Sequence, residues 1–145
     1  MSDEILERVQ QDTRTAMKAG DRERVGTLRM LASSLQQDRK EGKGDAVAVL
    51  QRERKKRIEA ADAFESGGRA EQAAAEQAEA ALIEAYLPEQ ISDEELEEIV
   101  AAAIESTEAS DVKGMGRVIG VVMPQVKGRA DGKRVSTMVR ERLGA

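Results

Sequence analysis

Apolar residues recur along this chain every three or four positions, the period of a helix with one buried face. Ile5, Leu6, Val9, Thr13, Ala16 and Met17 share one face of a first helix, which stops at Gly20. Asp21 is placed to cap a second helix carrying Val25, Leu28, Leu31, Ala32 and Leu35, ending near Gly42. Gly42-Lys43-Gly44 is a turn signal, and Asp45 caps a third helix bearing Val47, Leu50, Ile58, Ala61 and Phe64 up to Gly67-Gly68. A fourth helix is predicted over roughly Arg69 to Tyr86. There Ala74, Ala78, Ala81, Leu82, Ala85 and Tyr86 cluster on the side expected to face inward.

Leu87-Pro88 breaks that run, because proline lacks a backbone donor and disfavours helix in the residue before it. Ser92 and Glu95 then have the spacing of a capping box, with Ile91 and Leu96 at the hydrophobic-staple positions. The fifth helix therefore starts at Asp93 and carries Leu96, Ile99, Val100, Ala103 and Ile104. A sixth begins near Asp111, shows Met115, Val118, Ile119 and Val122, and is limited at Met123 by Pro124. Gly116 and Gly120 lie one turn apart on it, a spacing that suggests close helix packing. After a tight loop from Lys127 to Gly132, Asp131 can cap a last helix with Val135, Met138, Val139 and Leu143. The expected fold is all-α: an N-terminal domain of about four helices over residues 1–88, and a small three-helix C-terminal domain over residues 89–145.

Composition narrows the chemistry. There is no cysteine and no histidine, which removes disulfides, thiolate nucleophiles, Cys/His zinc sites and imidazole acid–base catalysis. The two aromatics are Phe64 and Tyr86, so the core is aliphatic and no platform exists for stacking splayed-out bases. No apolar run approaches the ~20 residues that cross a bilayer, and no signal-peptide layout is visible, so a cytoplasmic address is expected. The acids from Asp93 to Glu98 lack the spacing and glycine of a calcium loop and suit the first turn of a helix. No cofactor or metal and no self-sufficient catalytic site is expected.

The net charge of −5 is unevenly spread. From Asp93 to Asp111 every charged residue is acidic. From Lys113 onward Lys113, Arg117, Lys127, Arg129, Lys133, Arg134, Arg140 and Arg142 face only Asp131 and Glu141. Such a patch attracts anions whatever the total charge. Lys127, Arg129 and Lys133 surround a glycine-containing loop opening onto a helix N-terminus, which is either a structural turn or a phosphate contact. A second cluster, Arg52 to Arg57, holds a single acid, Glu53. It reads as a solvated face paired with acids such as Glu76 and Glu79, except that Arg54 falls on the apolar stripe between Leu50 and Ile58. Arg54 must snorkel, pair with a buried acid, or line a groove, and in the last case Arg54 and Arg57 join a binding surface.

The stretches Tyr86-Leu87-Pro88-Glu89-Gln90-Ile91-Ser92, Lys113-Gly114-Met115-Gly116-Arg117-Val118-Ile119-Gly120 and Met123-Pro124-Gln125-Val126-Lys127-Gly128-Arg129-Ala130-Asp131-Gly132 resemble the YqeY-like family, also called GatB/YqeY. Leu28-Arg29-Met30-Leu31 and the segment from Lys55-Lys56-Arg57 to Phe64 resemble it too, so the likeness covers almost the whole chain. Gly114 stands where the family pattern has an acid.

The resemblance implies an N-terminal helical domain joined to a domain similar to the tail of the B subunit of tRNA-dependent amidotransferase, which helps to hold the tRNA. It also carries the label of a carbon–nitrogen ligase with glutamine as amido-N-donor, although in that enzyme the chemistry belongs to other domains. The expected function is an accessory module for tRNA or another structured RNA, reading shape and phosphate through Lys113, Arg117, Lys127, Arg129 and Lys133, with Arg54 and Arg57 as a second patch. Amidotransferase or aminoacyl-tRNA synthetase complexes are the expected protein partners. The rival readings are partner-dependent amide transfer and a protein–protein adaptor.

Overall fold

Seven α-helices and one 3-10 turn account for the regular structure of residues 2–144, which the computed structural model describes, and no strand occurs among them. The helices are α1 (Ser2–Ala19), α2 (Arg22–Lys40), α3 (Ala46–Ser66), α4 (Ala70–Glu84), α5 (Asp93–Thr107), α6 (Met115–Gln125) and α7 (Gly132–Arg142). The 3-10 turn, Val112–Gly114, leads into α6. The chain separates into two compact units, Met1–Leu87 and Pro88–Ala145.

In the first unit the helix ends are set by the residues that chemistry favours there. The Asp21 carboxylate accepts from Arg24 N at 3.2 Å and that of Asp45 from Ala48 N at 3.1 Å. Gly20, at φ 72°, lets the chain turn left-handed after α1, and Asp21 N then closes back onto the Ala16 carbonyl at 3.0 Å. With the ends fixed, α1 packs on α2, and α3 lies along α4. The core is formed by Leu6, Val9, Leu28, Leu31, Leu35, Val49, Leu50 and Ile83, joined by Tyr86. Each large aliphatic side chain fully buried there contributes about 1.5–3 kcal/mol. Tyr86 also donates its hydroxyl to the Asp12 carboxylate, while the Arg8 guanidinium sits 5.1 Å above its ring, fastening α1 to the end of α4.

Two inward faces differ from the sequence pattern. Met17 is 51% exposed, and its sulfur accepts a hydrogen bond from Arg29 at 3.6 Å. On α4, Ala74, Ala78 and Ala81 face solvent, as does the C-cap Ala85, whereas Ala73, Ala80 and Ile83 are buried. An alanine-rich helix offers almost no hydrophobic contrast between its sides, so Ile83 and the packing against α3 choose the face.

The second unit is a three-helix cluster in which each of α5, α6 and α7 touches the other two. Ile91, Leu96, Val100, Ala103, Val118, Val122, Val126, Val135 and Val139 fill its core. Ser92 caps α5 by accepting from Glu95 N at 3.1 Å, and both staple residues, Ile91 and Leu96, are buried. Helix α6 runs two residues beyond Met123 and takes Pro124 into its last turn, forgoing the bond that a backbone N–H there would make to the Gly120 carbonyl. Gly116 and Gly120 do not mediate close packing: a Cβ at either would meet nothing within 4 Å. The tight position is Gly114, where a Cβ would lie 2.7 Å from that of Ala109.

Candidate nucleic-acid interface

The loop from Val126 to Asp131 brings the motif Lys127-Gly128-Arg129 against the segment that enters α5. Gly128, buried and at φ 78°, adopts a left-handed conformation that favours glycine. Its carbonyl accepts from the Gln90 side-chain amide at 3.0 Å, and the next carbonyl, of Arg129, accepts from Ile91 N at 2.8 Å. The Arg129 side chain returns the contact. Its Nε donates to the Glu89 carbonyl at 3.3 Å, and Nη1 and Nη2 reach the two Glu95 carboxylate oxygens at 3.4 and 3.1 Å. In the first turn of α7, Arg134 Nη2 lies 2.6 Å from Asp93 Oδ1, while its backbone N–H donates to the Asp131 cap at 2.7 Å.

This changes the electrostatic picture drawn from the linear order of charges. Two arginines of the basic tail pair with two acids from the first turn of α5. Glu95 therefore completes only half of a capping box: its N–H binds Ser92, but its carboxylate goes to Arg129. Lys113, Arg117, Lys127 and Lys133 remain exposed on the second unit. Lys113 lies in the 3-10 turn ahead of α6, and Arg117 in the first turn of α6 with its guanidinium folded back toward Gly114. Lys127 and Lys133 flank the loop that opens onto α7.

Arg54 and Arg57 belong to the other unit and are engaged within it. Arg54 Nε lies 3.5 Å from Glu84 Oε2. Arg57 is 14% exposed at its side chain. It donates to Glu53 Oε2 at 2.6 Å and to the Glu53 carbonyl at 3.1 Å, and lies 3.9 Å from Glu79 Oε2. Glu53, buried, also accepts from Ser34 Oγ at 3.0 Å and has Lys56 Nζ at 3.6 Å. Burial alone would push its carboxyl up. The hydrogen bonds from Arg57 and Ser34 and the charges of Lys56 and Arg57 outweigh that and leave it below the ordinary glutamate value. The sequence marks Glu53 as the one acid of a basic run, and its place under Ser34 of α2 is what that pattern could not show.

Among the described residues, no group of three or more His, Cys, Asp or Glu side chains is placed to hold a metal ion. No helix among them is long and apolar enough to cross a membrane.

Known proteins align with this chain in two ways. Altered inheritance of mitochondria protein 41, mitochondrial, of Pyrenophora tritici-repentis is 27% identical over 149 aligned positions, which cover 97% of this chain and 82% of that protein. The glutamyl-tRNA(Gln) amidotransferase E subunit of Thermococcus gammatolerans is 42% identical over 57 residues, 37% of this chain and 9% of that protein. The model of a family described as Yqey-like protein matches residues 6–143. The chain belongs to that Yqey-like family.

Proposed function

We propose that this protein is an accessory module that binds tRNA or a similarly structured RNA in amidotransferase-type processes, without a catalytic site of its own. The observation that carries the reading is the exposure of Lys113, Arg117, Lys127 and Lys133 on the second unit. Exposed lysines and arginines without aromatic neighbours suit phosphate and shape recognition of folded RNA. The similarity to part of an amidotransferase subunit supports the choice of tRNA over other polyanions. Arg129 contributes to this surface through its place in the loop, and Arg54 and Arg57 form the proposed second patch, with their guanidinium groups tied to Glu84 and Glu53 in the free protein.

The test is binding of total tRNA across a salt series, beside a Lys127→Glu/Lys133→Glu variant. Salt-sensitive binding that the variant loses supports the reading, and absence of binding at low salt overturns it.

The similarity to an amidotransferase subunit also favours a second reading, docking onto an amidotransferase or aminoacyl-tRNA synthetase complex, with partner-dependent amide transfer as its enzymatic form. Transamidation of mischarged tRNA that is unchanged on adding this protein at any stoichiometry would exclude the enzymatic form. A pull-down of such a complex that survives nuclease treatment would favour direct docking over RNA bridging.

A further inference from the structure

Arg129 stands in the most basic loop of the second unit, and by charge alone it belongs among the phosphate contacts. Its geometry says otherwise. Both guanidinium nitrogens that could grip a phosphate face the Glu95 carboxylate, at 3.1 and 3.4 Å, and the third, Nε, faces the Glu89 carbonyl at 3.3 Å. Main-chain and amide bonds surround that pair: Ile91 N to the Arg129 carbonyl at 2.8 Å, and the Gln90 amide to the Gly128 carbonyl at 3.0 Å. Isolated surface ion pairs contribute little, but a two-pronged arginine–carboxylate pair held by neighbouring hydrogen bonds is the arrangement in which the contribution is real.

We propose that Arg129 and Glu95 are positioning residues: their pair clamps the loop to the entry of α5 and so holds Lys127 and Lys133 in place for RNA. This rests on the RNA-binding reading above. It has a consequence that runs against simple electrostatics. Glu95 is an anion beside a surface proposed to bind a polyanion, so removing its charge should strengthen binding if charge were all that mattered. If Glu95 positions the loop, removing its charge weakens binding instead.

The experiment uses the full chain and total tRNA, with wild type, Glu95→Gln, and the charge-swapped double variant Glu95→Arg/Arg129→Glu. Positioning predicts binding about fivefold weaker in Glu95→Gln, the scale of losing one coupled charge pair, and recovery in the swap. A direct phosphate contact by Arg129 predicts equal or tighter binding in Glu95→Gln and no recovery in the swap, and that result overturns the proposal.

Hydrogen exchange separates failure of the clamp from failure of the RNA reading. Glu95→Gln should speed exchange at the Ile91 amide while leaving the core amides of Val100 and Val139 protected. Should wild type bind no tRNA, the RNA reading falls. The clamp then stands or falls on the Ile91 amide, and an unchanged exchange rate there removes it.

Discussion

Glu53 and Arg57, one turn apart on α3, form an ion pair of 2.6 Å in which the carboxylate side chain is 8% exposed and the guanidinium 14%. Ser34 of α2 and Glu79 of α4 approach the same pair, so three helices depend on one buried charge. Removing one partner leaves the other desolvated with its bonds unmade, which costs more than the pair itself contributes. Arg57→Met is expected to destabilise the first unit by about 3 kcal/mol. Urea unfolding at pH 7 measures this, and a loss below about 0.5 kcal/mol would show the pair to be inert.

The same carboxylate makes stability depend on pH. In the folded protein its titration lies below the ordinary 4.5, so the unfolded chain takes up its proton first as pH falls. The contribution is therefore complete above the unfolded value and is lost as pH drops through the folded one. Stability measured between pH 6 and pH 3 should fall less steeply in Glu53→Gln than in wild type, although the variant starts lower. Parallel curves would contradict the assignment.

Tyr86 is the sole tyrosine, and the chain has no tryptophan, so its ionisation can be followed by ultraviolet absorbance without interference. Burial, then the hydrogen bond to Asp12 and that residue's charge, raise its phenol above the ordinary 10.0. The neutral form is the one the fold favours. Its contribution is present below the unfolded value and is lost as pH rises beyond it. A native protein whose tyrosine titrates at the free value would sink this account, and Tyr86→Phe should remove about 1 kcal/mol of stability.

The glycines of the 112–120 segment give a paired prediction of opposite sign. A methyl group at Gly114 would collide with Ala109, so Gly114→Ala should lower the melting temperature by an amount equivalent to about 1–3 kcal/mol. Ala109→Gly should restore part of it. Gly116→Ala adds a methyl group in open space within a helix and should stabilise by about 0.5–1 kcal/mol.

Where a feature depends on neighbouring residues, the sequence carried it well. Asp21, Asp45, Ser92 and Asp131 all cap the helices they precede, because a short polar side chain needs only the next turn to find its donor. Long aliphatic stripes such as Leu28, Leu31 and Leu35 were equally legible. The face of α4 was not, since alanine is indifferent to burial, and neither was the role of Gly116 and Gly120, whose spacing fits a packed face and an empty one alike. The candidate cations could be read by residue type. Which of them already has a carboxylate could not, because Arg129 and Glu95 are 34 positions apart and meet only through the fold.

The bond from Ile91 N to the Arg129 carbonyl sets where this protein can be cut. The five residues before α5, from Pro88 to Ser92, carry no regular structure, yet they supply the C-terminal unit with a main-chain donor, the Gln90 amide and the cap of its first helix. A graft of that unit onto another polypeptide therefore has to begin at Pro88. One starting at Asp93 would transplant three complete helices and leave behind the stitching that joins their two ends.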